Sequence, residues 1–146
     1  MIKYRSVLII IFFMISNVLL SYQCLAISSK NKVIEDKNSY TITFGGGRKI
    51  LVARKDFDTR MSWTNAVNAC KRLGEGWRLP SVDELKGIYN ELFLERQGNF
   101  EAVGYWSSER YYSYGAWWVN FNNYAEEYNQ PIYAVSKVRA VKDLGE

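Results

Sequence analysis

The chain has 146 residues, no histidine, two cysteines, a formal charge of +4 and 16% aromatic side chains. The missing histidine removes the commonest general base and the commonest metal ligand. So mild a positive charge does not point to nucleic acid as a partner.

Residues 1–26 have the pattern of a cleavable signal peptide. Lys3 and Arg5 precede a nearly continuous apolar run over residues 6–20, and Cys24-Leu25-Ala26 puts small side chains at the two positions a signal peptidase reads. The run stops short of the roughly 20 residues a spanning helix needs. Cleavage after Ala26 is therefore expected in preference to a retained membrane anchor. Lipidation of Cys24 is a second alternative, against which the bulky Tyr22-Gln23 argues. Cleavage leaves about 120 residues, enough for one domain with its own core. The loss of Lys3 and Arg5 lowers the charge to +2, and Cys70 is left without an intrachain disulfide partner, so stability must come from packing. The expected product is exported, periplasmic or at the cell surface, with no stable membrane insertion.

Residues 27–38 are polar and charged, lack an apolar period, and read as a tether to a domain over residues 39–146. Residues 39–44 alternate, Gly45-Gly46-Gly47 permits a tight turn, and residues 49–53 are extended again, which predicts a hairpin. No Lys-Ser or Lys-Thr follows the glycines, so a phosphate loop is not indicated. A first helix is predicted after Ser62, with Trp63, Ala66, Val67, Cys70 and Leu73 on one stripe and Gly74 closing it. Cys70 then reads as a core residue, since nothing is present to activate its thiolate. A second helix follows Pro80: Ser81 and Glu84 form a capping box, and Leu85, Ile88, Tyr89, Leu92 and Phe93 share a face. Beyond Gly98 the period changes to two, and strands are predicted over residues 105–108, 116–122 and 135–141.

Trp77-Arg78-Leu79-Pro80, Tyr105-Trp106-Ser107-Ser108, Ala116-Trp117-Trp118-Val119-Asn120-Phe121 and Val138-Arg139-Ala140-Val141 occur in that order. In these motifs, across roughly residues 57–142, the chain resembles the C-terminal domain family of the Legionella collagen-like adhesin. The resemblance implies an α+β, C-type-lectin-like fold with two short helices and a small, mainly antiparallel twisted sheet, akin to formylglycine-generating enzymes. It also implies an exported protein of the adhesion type; the collagen-like adhesin itself is associated with sulfated glycans. The chain departs from the pattern at Asn122-Asn123-Tyr124, where a turn such as Asp-Gly is usual, and it lacks a second Arg after Val138-Arg139. The calcium triplets of lectins are missing, and Ile132 in Gln130-Pro131-Ile132 cannot ligate calcium. The cysteine pair of the formylglycine-generating relatives is missing too. No metal or cofactor is expected.

Eleven Tyr, Trp or Phe residues lie between Tyr105 and Tyr133. Strand alternation assigns Trp106, Trp117 and Phe121, together with Trp77, to the core. Tyr111, Tyr112, Tyr114, Trp118 and Tyr124 fall in a loop or on the outward strand face beside Arg110, Asn120, Asn122 and Asn123. These nine residues are the candidate ligand contacts, because rings with polar handles and amides suit a glycan or a protein surface. Arg78 reads as a structural cation, Glu84 as a capping residue, and Arg48, Lys49, Arg54, Lys55 and Arg60 as either a charge-blunted hairpin edge or an anion-binding cluster. The leading expectation is a non-catalytic binding module; the alternatives are an accessory subunit of an envelope complex and an enzyme with a non-histidine site.

Overall fold

The computed structural model describes residues 34–35 and 38–145. The expected signal peptide and the remainder of the tether lie outside them. In chain order the elements are β1 (Ile34–Glu35), β2 (Ser39–Thr43), β3 (Lys49–Ala53), α1 (Trp63–Arg72), β4 (Trp77–Arg78), α2 (Val82–Ile88), β5 (Gly104–Tyr111), β6 (Gly115–Asn120), β7 (Glu126–Pro131) and β8 (Val141–Leu144). The class is α+β. In place of one sheet there are two, ordered β1-β2-β3-β8-β4 and β5-β6-β7, and every strand pair in them is antiparallel.

The β2–β3 hairpin forms as expected, with Tyr40 opposite Val52 and Gly46 and Gly47 at positive φ in the turn. Ile34–Glu35, inside the expected tether, adds a short edge by pairing with Tyr40 and Thr41. Helix α1 starts after Ser62, and the capping box at α2 is present in both directions. Leu73 lies past the last turn of α1 and is 48% exposed, so it does not continue the apolar stripe. Helix α2 runs on through a wider-wound turn, Tyr89–Phe93, which keeps Tyr89 and Leu92 buried.

Strand β7 was not predicted, because Glu-Glu-Tyr-Asn-Gln-Pro has no apolar alternation. It pairs along its whole length with β6, and its residues are mostly exposed, as an edge strand allows. The segment expected as a strand over residues 135–141 instead threads between the sheets. Its backbone bonds go in turn to Met61, Trp106, Phe57 and Ala53, and the last ladder begins only at Val141.

Both faces of β5–β6 are covered. Tyr105 and Val119 pack with Leu85, Ile88 and Leu92 of the α2 segment and with Ile42, Ile50 and Val52 of the hairpin. Trp106 and Ala116 pack on the other side with Ala66 and Cys70 of α1 and with Leu79, Val138 and Ala140. Cys70 is fully buried, and burial pushes its thiol up to about 12, which fits a core role.

Two charged arrangements tie these layers. Glu84, 2% exposed, accepts from Arg48 Nη1 at 2.6 Å, Arg78 Nη1 at 2.7 Å and the Ser81 N–H at 2.8 Å, and Arg78 also reaches Asp143 at 2.8 Å. Burial alone would raise the Glu84 carboxyl, but these hydrogen bonds outweigh it and hold the group at about 2. The second is the fully buried Arg139. Its Nε meets Asp56 at 2.6 Å, its two Nη atoms meet the Ala53 and Gly98 carbonyls at 2.8 and 2.7 Å, and its guanidinium lies 3.7 Å from the Phe100 ring centroid.

Because the folded carboxyl of Glu84 is depressed, its contribution is complete above its unfolded value near 4.3 and fades as the pH falls toward 2. Urea titrations should show about 3 kcal/mol of stability lost by this group over that window, and Glu84→Gln should flatten that part of the profile. Arg139→Met should cost about 3–5 kcal/mol by the same measurement, since it strands Asp56. The double variant Arg139→Met/Asp56→Leu should lose less than the two single losses added together.

Candidate functional site

The nine candidate contacts do not converge. Strand β6 is six residues long, and its two hairpin turns lie at opposite ends of the sheet, about 17 Å apart at the usual rise per residue. Arg110, Tyr111, Tyr112 and Tyr114 sit at the β5–β6 turn. Asn120, Asn122, Asn123 and Tyr124 sit at the β6–β7 turn, and Trp118 lies between.

The β5–β6 end carries the rings. Tyr112 is 72% exposed and Tyr114 66%, and they are held on a turn that closes where Tyr111 pairs with Gly115. Tyr112 adopts φ 53°, a left-handed conformation that costs a bulky residue energy and projects it from the turn. Arg110 is spent on the fold: its guanidinium lies 5.0 Å from the Trp63 ring centroid and donates to the Ser113 carbonyl. The Tyr114 carbonyl accepts the Ile132 N–H at 3.0 Å, which stitches the following loop to this turn. Tyr133, 79% exposed, thereby joins the same end. It escaped the sequence reading because it is an isolated ring in an unpatterned segment, brought here by the unpredicted β7.

At the β6–β7 end the amides serve the turn itself. Asn120 Oδ1 accepts the Asn122 N–H at 3.0 Å, an Asx turn, and Asn123 Nδ2 donates to Glu126 and, at 2.9 Å, to the Tyr128 hydroxyl. Tyr124 and Ala125 both have positive φ, and the Glu126 N–H bonds the Asn123 carbonyl at 2.9 Å, the pattern in which Asn-Gly is usual. Tyr124 is 87% exposed, yet the Asn120 and Asn123 amides beside it are already engaged, and Asn122 stands exposed on the same turn.

Trp118 does not stand free on an outward face. It packs against the Trp106 cluster, its ring lies 5.5 Å from that of Tyr128, and it covers Gly104, where an added Cβ would fall 1.8 Å from a ring carbon. The expected contrast between a core face and a solvent face of β6 therefore fails, because α1 and the 132–138 segment cover the second face. Trp117 departs in the opposite direction. It shares its face with the buried Val119, but α2 begins only at Val82 and leaves the Trp117 ring half-exposed.

That ring lines a groove of about 290 Å³ with Val82, Asp83, Lys86, Glu109 and Glu127. Tyr111 meets Trp117 edge-on at 5.1 Å and Tyr112 at 4.7 Å, so the groove and the ring-bearing end are continuous. Glu109 reaches the groove through a bulge: Trp118 pairs with Trp106 and Ala116 with Arg110, leaving residues 107–109 opposite Trp117 alone. Its carboxylate accepts the Val82 N–H at 2.8 Å. Glu127 pairs with Lys86 at 2.5 Å, and that hydrogen bond holds its carboxyl below the usual range. A larger hollow of about 440 Å³ beside Phe93, Arg96 and Phe100 lies away from all these groups. Among the described residues no three His, Cys, Asp or Glu side chains gather as a metal site, and no helix is long and apolar enough to cross a membrane.

Gly104→Ala should lower the thermal midpoint markedly, at a cost of about 1–3 kcal/mol, because the Trp118 ring must move. Tyr124→Gly should raise it or leave it unchanged, since it relieves a positive φ. No protein-family model matches the chain, and no curated protein is similar enough to count as a relative.

Proposed function

We propose that the chain is an exported, non-catalytic binding module of C-type-lectin-like architecture, which recognises a glycan through the tyrosine-bearing end of its three-stranded sheet. Tyr112, Tyr114 and Tyr133, 66–79% exposed on backbone held by strand pairing and a cross-loop bond, carry this reading. Rings of this exposure gain nothing for the core, and a tyrosine offers a large apolar face with a hydroxyl at low conformational cost. Two short helices on small antiparallel sheets agree with the architecture implied by the family resemblance. Export is supported by the signal-peptide pattern of residues 1–26.

A catalytic role has little to build on. The chain lacks histidine, and the Cys70 thiol is buried and pushed up to about 12. The basic residues of the hairpin support an anionic partner weakly. Arg48 is committed to Glu84 and to the Phe44 ring, and Arg54 lies over Tyr40.

A glycan array probed with the mature protein should give binding that Tyr112→Ala/Tyr114→Ala reduces at least about tenfold, with the thermal midpoint unchanged. Binding that survives this double variant would remove the tyrosine end from the recognition site. Recovery of one stoichiometric envelope protein in place of any glycan would favour the accessory-subunit reading.

A further inference from the structure

The Trp117 groove is used by nothing described so far, and its chemistry is narrower than that of the tyrosine end. One wall is an indole ring that the start of α2 covers only in part. Three carboxylates, Asp83, Glu109 and Glu127, surround it with a single cation, Lys86. Asn129, exposed on β7, is the direct cross-strand partner of Trp117 and stands on the same face. The groups come from separate elements: α2, a bulge in β5, the middle of β6, and β7. Fixed backbone on all sides sets their spacing.

Building on the glycan reading above, we infer that this groove is a subsite for one uncharged pyranose residue, stacked on Trp117 and hydrogen-bonded through its hydroxyls to Glu109, Glu127 and Asn129. A pyranose has a face of C–H groups that suits an aromatic ring, and a rim of hydroxyls that suits carboxylate and amide acceptors. The volume of about 290 Å³ admits one such ring and not a chain of several. Charge sets the selectivity. With three acids against one lysine, a sulfate or uronate placed here would meet net repulsion. The Glu127–Lys86 pair keeps Glu127 ionised and turned toward the helix, so it acts as an acceptor only. The edge contacts Trp117–Tyr111–Tyr112 link this subsite to the tyrosine end, so a linear oligosaccharide can run from the groove onto the exposed rings.

Two-dimensional NMR of the mature protein, with the five indole N–H signals assigned by single Trp→Phe variants, tests the assignment. The probes are chitotetraose, cellotetraose and maltotetraose, with a heparin-derived tetrasaccharide as the anionic comparison. At least one neutral tetrasaccharide should shift the Trp117 indole signal, and the sulfated one should not. For the neutral sugar that binds, Trp117→Ala and Glu109→Gln should each weaken affinity by roughly threefold to tenfold. Glu109→Gln keeps an oxygen to accept the Val82 N–H, and its thermal midpoint should match the wild type. A neutral sugar that shifts tyrosine-end signals while Trp117 stays still overturns the subsite and leaves the glycan reading standing. A shift of Trp117 by the sulfated probe overturns the charge selectivity and the subsite as stated. No shift from any of the four sugars overturns the subsite and the glycan reading together.

Discussion

The Arg139 guanidinium is the interaction on which the rest of the structure depends. A domain of this size without a disulfide must hold its loops by packing and polar contacts alone, and one buried cation on the last segment joins two distant stretches, residues 53–56 and 98–100. It fixes Asp56 and the Ala53 carbonyl at the exit of β3, the Gly98 carbonyl after α2, and the Phe100 ring beneath Tyr105. Asp56 in turn accepts the Tyr105 hydroxyl at 2.9 Å, and that hydroxyl accepts the Glu101 N–H at 2.9 Å. The start of β5 is therefore set by a polar chain that begins at Arg139. Everything proposed for recognition hangs from β5 and its hairpin partners. A charge so placed is costly to bury unless each donor is met, and here carboxylate, carbonyls and ring meet it together.

The Glu84 cluster does similar work on the other flank. Its carboxylate caps α2 and anchors Arg78 of β4, while Arg48 reaches it from the β2–β3 turn. The position of α2 along the sheet follows from that anchor. Since α2 begins where Ser81 and Glu84 cap it, the helix covers Val119 and stops short of Trp117. The groove is thus a consequence of where a helix cap falls.

Local signals were legible in the sequence and long-range ones were not. Ser81 and Glu84 marked the start of α2, the triple glycine marked the hairpin, and the Cys70 stripe marked α1, because each of these signals is complete within a few residues. Strand β7 left no pattern, since an edge strand with both faces largely wet needs no alternation. The period of two in β6 correctly separated Trp117 from Trp118. It could not tell which face would be covered, because that depends on α1 and the 132–138 segment for one side and on the short reach of α2 for the other. Among the nine candidate contacts the tyrosines at 112, 114 and 124 stand exposed. The asparagines at 120 and 123 are explained by turn geometry, and Arg110 by its contacts with Trp63 and Ser113.

Strand β7 has one further consequence. Among the described residues it pairs with β6 alone, so one row of its backbone groups has no described strand beside it, the arrangement that invites another copy to add on. Adjacent acids at Glu126 and Glu127 and a closing Pro131 line that border. A second copy approaching antiparallel would meet Pro131, which has no amide hydrogen to offer, and one approaching parallel in register would set Glu126 and Glu127 against their own kind. Edge-to-edge growth into fibres is thereby disfavoured at this border, and the exposed rings of Tyr112 and Tyr114 lie on the turn at the far end of β6 from Glu126.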